Sequence, residues 1–576
     1  MTDREKILSN EYYDMITDYE LPPQISLDIG EDFVYQHIDG ELGITYINRR
    51  GVPPLSISNY SYTMIPKLYG LQQIQGSGRA GTFDPTPLIE SGITRVQRAP
   101  LSLTGEGVVI GFVDTGIRYE EEVFRNADGS TRILGIWDQT IQDGEPPEGI
   151  LYGTEYTREM IDQALQSDDA RGIVPSYDEN GHGTALASVA AGSVLGSGLT
   201  FLGAAPDADI VMVKLRQAKP HLKEFFLVPQ EVEAYSESDI LVAIKYLESY
   251  AISVSRALII CFGLGTNMGD HEGHSALADY LNQIAVRRSR AVVAAGGNEG
   301  SSAHHYMGMS EEGLRETTDN VEIRVDQGEI GFTAELWGNI SANHIISIKA
   351  PGGEVTPQVD FRNRNSLTFD FIYENTQVQI DHVLVEQNSG EELIFFRFVA
   401  PTPGVWTIQV VITDNRRGES DFHVWLPLTQ FLQGETYFLR PSPYITLTEP
   451  SNAREVITTT VYDTDTGSFW APSGRGYTRQ GQIKPELCAP GVNIDTILGV
   501  RTGSALSAAF VAGAAALFMQ WAVEERNRPW VESRELKSYL IRGADRAQDG
   551  TYPNRETGYG ALDISGTFDV LAGVSL

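Results

Sequence analysis

The chain has 576 residues and a formal net charge of −34, with 41% hydrophobic and 21% charged residues. This mixture is typical of a folded globular protein with more than one domain. The excess of carboxylates argues against nucleic acid and against an anionic membrane surface as partners, because lysine and arginine make those contacts. Residues 1–20 are acidic and contain no apolar run, so we expect no secretory signal. No stretch approaches the ~18 apolar residues of a membrane span.

The few cysteines and the paired histidines indicate neither disulfides nor a metal centre. Cys261 and Cys488 lie far apart in the apolar contexts LIICFG and PELCAP, which is typical of buried free thiols in a reducing compartment. With no predicted signal, this favours synthesis in the cytoplasm. The pairs His271/His274 and His304/His305 lack cysteine or acidic neighbours at metal-ligand spacing, so we expect no metal and no cofactor.

The first unit spans residues 1–72 and contains short alternating stretches such as FVYQHIDG and LGITYIN. Residues 73–98 follow as a linker and the beginning of the next domain. The segment QQIQGSGRAGTFDP is rich in glycine and polar residues, and it predicts an exposed linker that is open to cleavage.

Apolar runs ended by glycine turns begin at Gly107, the first being GVVIGFVDTG. Such runs are typical of strands buried on both faces of a parallel sheet. Helical stretches such as DILVAIKYLESYAI lie between them, and this alternation predicts an α/β fold with helices on both faces of the sheet. We assign its first part to residues 99–311 and its second part to residues 441–576.

Residues 312–440 interrupt this pattern with short alternating strands such as SLTFDFIYE and GVWTIQVVI. No helical period occurs between them, which predicts an inserted all-β jelly-roll domain. Because the insert supplies no catalytic motif, we expect it to pack on the surface away from the functional site.

Three polar residues follow apolar strands or open a helix, in the order Asp114, His182 and Asn298. A carboxylate at the carboxyl end of a strand in an open sheet is a common place for a functional group, although a buried capping aspartate has the same context. His182 lies in HGTALASVAAG at the start of a helix of small residues. Asn298 lies in a glycine turn, where its amide could donate to a developing oxyanion.

A fourth element, GVRTGSALSAAFVAGAAALFMQW, opens an apolar helix with a glycine turn, where a nucleophile would benefit from the helix N-terminus. Together with DTG, HGT, GNEG and CAPG, and in this chain order, these motifs resemble those of the subtilisin-like serine peptidases. The stretches IWDQTI and FGLGTNMGDHEGH look like the clostridial Csp subgroup of spore-germination proteases. The resemblance covers nearly the whole chain, most weakly residues 1–70 and the β insert.

The resemblance implies a subtilisin-like parallel sheet, an N-terminal α+β prodomain in residues 1–72, and a role for the FGLG stretch. In this family the residues matching Phe262, Gly263, Leu264 and Gly265 pair with the substrate backbone, for which β-augmentation is the physical basis. Close packing of these glycines within a sheet is the structural alternative. The family also implies Asp114 and His182 as acid and base, and Asn298 as oxyanion donor.

The family pattern breaks at the nucleophile. Family members carry G-T-S-x-A-x-P-x-V-A-G, and Gly503 and the run from Val511 to Gly513 align only when Ala505 stands at the serine position. Making Ser504 the nucleophile would require an extra residue inside a packed helix, which turns every later side chain by ~100°. A methyl group cannot attack a carbonyl, so we expect a catalytically inactive chain. Retention of the other site residues favours an engineered Ser→Ala change over natural loss.

These patterns lead to the expectation of a serine endopeptidase made as a proenzyme, whose own prodomain lies in the cleft. SNYSYTMIPKLYGL is extended at Pro66 and could add as a strand beside Phe262–Gly265. The alternative is a natural pseudoprotease that acts as a non-catalytic regulator or receptor in spore germination. By analogy with the Csp subgroup, we expect a protein substrate such as a cell-wall hydrolase precursor, and association with the spore.

Overall fold

An eight-stranded sheet forms the centre of the α/β domain in the computed structural model, which describes residues 1–17, 32–76, 83–195, 200–310, 316–339, 341–362, 365–413, 421–548 and 550–573. Seven neighbouring strands run parallel and the eighth, at one edge, is antiparallel. In spatial order the strands are Leu487–Pro490, Ile457–Tyr462, Arg290–Ala295, Leu258–Phe262, Val109–Asp114, Asp209–Lys214, Ile133–Asp138 and Thr154–Thr157.

Alternate residues of each central strand enter two separate cores, because successive side chains of a strand point to opposite faces. Ile110 and Phe112 pack in the core that contains the helices His182–Ala191 and Ser504–Met519. Val109 packs in the other core, with the helices Glu237–Ser253 and Ala276–Ala285. The predicted α/β sheet with helices on both faces is thereby confirmed.

The remaining helices of this domain are shorter or lie near its edges. They are Thr86–Glu90, Ile93–Val96, Arg158–Leu165, Ala170–Ile173, Pro220–Phe225, Ser533–Gly543 and Ile564–Leu571. A small antiparallel pair, Ser193–Leu195 with Thr200–Leu202, lies beyond the His182 helix.

The helix Ser504–Met519 is buried along its whole length and continues as a π-helical turn over Gln520–Glu524. Contrary to the expectation from the sequence, the 21-residue helical stretch Ser504–Glu524 is apolar enough to cross a membrane by length and composition alone, and 89% of its apolar window is buried inside the protein.

The N-terminal unit packs on the face of the sheet that carries the Glu237–Ser253 helix. It consists of the helix Asp3–Leu8 and three antiparallel strands, Tyr12–Thr17, Leu42–Asn48 and Phe33–Asp39 in spatial order. Ile7, Tyr12 and Ile16 share one apolar core with that helix. The middle of the predicted linker, residues 77–82, lies outside the described residues.

Two antiparallel sheets follow between the two parts of the α/β domain, and they share one apolar core. The larger has the strand order His305–Met309, Asp421–Trp425, Gly331–Gly338, Glu392–Val399, Thr376–Val383 and Ser366–Phe371. The smaller has the order Asn343–Lys349, Gly404–Thr413, Glu316–Val325 and Tyr437–Phe438. The β unit begins before the predicted boundary at residue 312, because His305–Met309 already pairs with Asp421–Trp425.

The prediction that this insert packs away from the functional site is wrong. Tyr62 of the N-terminal unit donates to Glu335 of the insert at 2.8 Å, and Gln430 of the insert donates to the Leu71 carbonyl at 3.2 Å. The reason is geometric. The chain leaves the α/β domain just after Asn298, and the pairing of His305–Met309 with Asp421–Trp425 brings the returning chain back to the same place.

Candidate active site

The carboxylate of Asp114 and the ring of His182 form a buried hydrogen-bonded pair. Asp114 is the last residue of a central strand, and His182 is the first residue of the helix His182–Ala191. The His182 Nδ1 atom lies 2.8 Å from Asp114 Oδ1 and 2.9 Å from Oδ2. The side chains are only 2% and 1% exposed, so water does not screen this interaction.

Two neighbours hold the histidine at the start of its helix. Gly181 has a φ of +89°, a left-handed conformation that glycine adopts without steric cost. Asp178 accepts hydrogen bonds from the backbone N–H groups of Gly181 at 2.7 Å and Thr184 at 2.9 Å. These are donors that the first turn of a helix leaves unpaired, so Asp178 satisfies them and fixes the direction in which His182 points.

Both nitrogens of the His182 ring face hydrogen-bond acceptors. Nε2 lies 3.0 Å from the carbonyl oxygen of Gln72, which can only accept, while Nδ1 faces the Asp114 carboxylate. Burial lowers the pKa of His182, but the charge of Asp114 and the hydrogen bonds to Asp114 and Gln72 raise it further, so the pKa lies above its ordinary value.

Residues 68–76, here called the cleft segment, pass directly over this pair. The strand Leu68–Leu71 pairs antiparallel with Leu264–Gly265 on one side and with Tyr235–Ser236 on the other. The Gln72 N–H then donates to the Gly263 carbonyl at 2.8 Å. The segment is thus added as a strand to the edge formed by the FGLG stretch, the geometry of β-augmentation.

The side chain of Gln72 enters a pocket behind the FGLG stretch. Gln72 is 2% exposed, and its Nε2 donates to Thr448 Oγ1 at 3.0 Å. A Cβ atom at Gly265 would lie 2.1 Å from that Nε2, so only glycine leaves the pocket open. A Cβ at Gly263 would lie 3.2 Å from the His182 ring and 3.3 Å from the Asp114 carboxylate. These glycines therefore make room for the bound segment and for the Asp114–His182 pair.

Asn298 contacts the next residue of the cleft segment. Its Nδ2 donates to the Gln73 carbonyl at 2.9 Å, and its Oδ1 accepts the backbone N–H of Ser504 at 3.1 Å. The segment continues as Gln75–Gly76, which pairs with the strand Gly499–Thr502. Two successive carbonyls of the segment thus contact the two polar side chains. The Gln72 carbonyl contacts His182, and the Gln73 carbonyl contacts Asn298.

Ala505 is the second residue of the helix that starts at Ser504, and it is fully buried. Its methyl group offers no nucleophile. The hydroxyl of Ser504 is buried and has no hydrogen-bond partner among the described residues. The ring of His182 hydrogen-bonds Asp114 and Gln72 instead, so the structure shows no contact that would activate Ser504.

The structure therefore brings together Asp114, His182, Asn298, the FGLG stretch and the start of the Ala505 helix. Sequence reasoning missed Asp178, Thr448 and Gln430. No short motif around Asp178, Thr448 or Gln430 in the sequence indicates these contacts. Within the described ranges, no three or more His, Cys, Asp or Glu side chains form a metal-binding group, and Cys261 and Cys488 are buried free thiols.

A parallel sheet that presents an aspartate–histidine pair beside an apolar helix opened by glycine is the arrangement of subtilisin-like serine peptidases. A family model for the subtilase family matches residues 105–385 and 441–560. The chain belongs to the subtilase family.

Solved and curated proteins agree with this assignment. The structure is similar to that of the CspB protease of Clostridium perfringens, with a TM-score of 0.74 and 28% identity over 85% of this chain and 98% of that one. Subtilisin-like protease SBT3.3 of Arabidopsis thaliana is 29% identical over 225 residues, which is 36% of this chain and 27% of that protein. Serine protease AprX of Bacillus subtilis is 31% identical over 120 residues, covering 21% of this chain and 19% of its own length. The chain thus spans about a quarter of the length of SBT3.3.

Proposed function

We propose that the chain is the proenzyme of a subtilisin-like serine endopeptidase, catalytically inactive because Ala505 stands at the nucleophile position. Residues 1–72 are its prodomain, and their trailing end fills the cleft. The observation that carries this proposal is the path of the cleft segment, which passes His182 and Asn298 as a continuous chain. Because the segment pairs with strands on both sides of the site, the cleft accepts the interior of a polypeptide.

When serine replaces Ala505, each neighbour has a defined role. The hydroxyl attacks a carbonyl carbon of the bound segment, and His182 Nε2 accepts its proton. Asp114 orients the ring and stabilises the imidazolium, while the Asn298 amide, which in the uncut chain donates to the Gln73 carbonyl one residue further on, shifts to the oxyanion formed at Gln72. His182 then protonates the leaving amine, and water releases the acyl group by the same steps.

The buried Gln72 side chain supports a preference for glutamine before the cleaved bond. A pocket that pairs an amide with Thr448 discriminates against side chains that cannot make this hydrogen bond. We further propose, by resemblance to the Csp subgroup, that the chain is synthesised in the cytoplasm, associates with the spore and acts on a protein substrate such as a cell-wall hydrolase precursor.

A second function is favoured by Ala505 itself. A naturally inactive subtilase could use the same cleft to bind an extended peptide and act as a regulator or receptor in spore germination. The retained Asp114, His182 and Asn298 favour the engineered change, since loss of the nucleophile removes the selection that keeps the other groups.

Restoring the nucleophile tests these two functions against each other. We expect Ala505→Ser to cut itself within the cleft segment, with Gln73 as the new amino terminus, because Gln72 fills the pocket. Mass spectrometry of the incubated protein identifies the terminus. The double variant Ala505→Ser/His182→Ala should stay intact, and adding Ser504→Ala to Ala505→Ser should leave cleavage unchanged. A chain that remains whole after Ala505→Ser would favour the regulator.

A further inference from the structure

The β insert supplies an outer wall of the cleft through one side chain. Gln430 Nε2 donates to the Leu71 carbonyl at 3.2 Å, and Gln430 Oε1 accepts from Gln73 Nε2 at 2.8 Å. One glutamine therefore spans the residues before and after Gln72, the residue whose side chain fills the pocket.

The turn that carries Gln430 is held in place by burial of one residue and by hydrogen bonds to Glu299. Gln430 lies in the short 3₁₀ turn Thr429–Phe431, whose Phe431 is 2% exposed. Thr429 donates to Glu299 from its backbone at 3.3 Å and from its hydroxyl at 3.1 Å. Glu299 in turn lies 2.8 Å from His304 Nδ1 and directly follows Asn298 in the chain. The position of Gln430 is thereby tied to the oxyanion turn.

Gln430 leaves no room for a side chain at Gly70. A Cβ atom there would lie 1.6 Å from Gln430 Nε2 and 3.0 Å from Leu428 Cδ1. Gly70 pairs with Gly265 as ordinary strand and has no positive φ, so the backbone does not require glycine. A methyl group could fit only if Gln430 moved, and that movement would break its hydrogen bond to Leu71.

We infer that Gln430 is a specificity-determining residue that the β insert contributes to the cleft. It selects glycine two residues before the residue that fills the pocket, and it favours a hydrogen-donating side chain directly after that residue. Substrates are then proteins with an extended Gly-x-Gln-Gln type of segment. The role of Gln430 in substrate selection rests on the proposed function, whereas the contact between Gln430 and the cleft segment can be tested without catalysis.

The contact is tested in the chain as it stands by hydrogen exchange of residues 68–76, measured by mass spectrometry with a double-mutant cycle. We expect Gly70→Ala to lower protection of the segment about tenfold, because overpacking of a fitted site is costly. In the Gln430→Ala background the same change should cost about threefold or less, since the space is then open.

The control is Gln433→Ala, an exposed glutamine of the same insert. It should leave the effect of Gly70→Ala unchanged. If Gly70→Ala lowers protection equally with and without Gln430, the inference is overturned.

The second arm measures selectivity in Ala505→Ser with the peptides YGLQQIQG and YALQQIQG. We expect kcat/KM to favour the glycine peptide about tenfold and Gln430→Ala to reduce that ratio to about threefold or less. Both peptides compete with the same bound segment, so their ratio is independent of its occupancy. An unchanged ratio overturns the inference. If neither peptide is cut, the proposed function fails, while the exchange experiment still decides the role of Gln430.

Discussion

At the residue scale, Gly263 shows how little space surrounds the Asp114–His182 pair. A Cβ atom at this position would lie 2.7 Å from Leu186 Cδ2 and would press on both members of the pair. We expect Gly263→Ala to lower the free energy of unfolding by about 1–3 kcal/mol, the usual cost of overpacking. Urea denaturation measures it. Gly328→Ala is the matched control, because the nearest atom to its added Cβ lies at 3.8 Å. Equal effects of the two changes would contradict the prediction.

His182 carries a prediction about pH. Burial lowers its pKa, and the charge of Asp114 together with the hydrogen bonds to Asp114 and Gln72 more than reverses this, so removing the charge in Asp114→Asn should bring the pKa below its ordinary value near 6.5. Histidine-labelled NMR titration measures the ring pKa directly. A ring pKa in Asp114→Asn equal to that of the parent would show that Asp114 is not its main cause.

The same pKa has a consequence for stability. Because the folded pKa is raised, the charged ring stabilises the fold fully below pH ~6.5, and this contribution is lost as the pH rises through the folded pKa. Asp178 and Gln72 still raise the pKa in Asp114→Asn, but less than burial lowers it, so this contribution should be absent in the variant. Urea unfolding of both proteins across this window measures the difference in slope.

At the element scale, Asp178 connects the helix His182–Ala191 to the site. It is fully buried and accepts two N–H groups of the first turn. Asp178→Ala leaves these donors unpaired, and we expect a loss of about 2 kcal/mol or more in the free energy of unfolding. Asp169→Ala is the control, because Asp169 caps the short helix Ala170–Ile173 at an exposed position. A loss of unfolding free energy no larger than that of the control would mean that Asp178 does not stabilise the helix His182–Ala191.

At the scale of the whole molecule, the N-terminal unit is joined to the α/β domain by buried charges as well as by apolar packing. Asp14 lies 2.5 Å from Lys219 Nζ and 3.6 Å from Arg216 Nη2, and it is 6% exposed. After Ala505→Ser has cut itself, we expect the N-terminal fragment to co-elute with the remainder in gel filtration. Adding Asp14→Ala removes the carboxylate that pairs with Lys219 and leaves its ammonium with the Tyr12 carbonyl, which costs about 3 kcal/mol or more and should release the fragment.

Glu11→Ala provides the matched control for this experiment. Glu11 pairs with Arg50 within the N-terminal unit, and both side chains are at least half exposed, at 50% and 80%. The change should leave the fragment bound. Release of the fragment without any substitution in the interface would contradict the prediction.

Much of the α/β domain was predictable because short stretches of neighbouring residues indicate its strands and helices. Continuous apolar runs such as VIGFVD require a strand covered on both faces, and a glycine-opened run of small residues such as the Ser504 helix requires deep burial. Asp114, His182 and Asn298 were recognisable for the same reason, since each lies in a short motif at the end of such an element. The placing of Ala505 at the nucleophile position stays a prediction from the aligned motif.

Other features were decided by contacts between residues distant in the chain. Gln72 hydrogen-bonds Thr448, which lies 376 positions away in the sequence, and Gln430 hydrogen-bonds Leu71, which lies 359 positions away. Periodicity and short motifs describe neighbours within a few residues, so they could not place the insert's turn over the cleft or find the glutamine pocket. These contacts exist because the insert leaves and re-enters beside Asn298, while the N-terminal unit packs against both the sheet and the insert. The chemistry of each element can therefore be predicted from the amino-acid order. The shape of the cleft depends instead on how the N-terminal unit, the α/β domain and the β insert pack together.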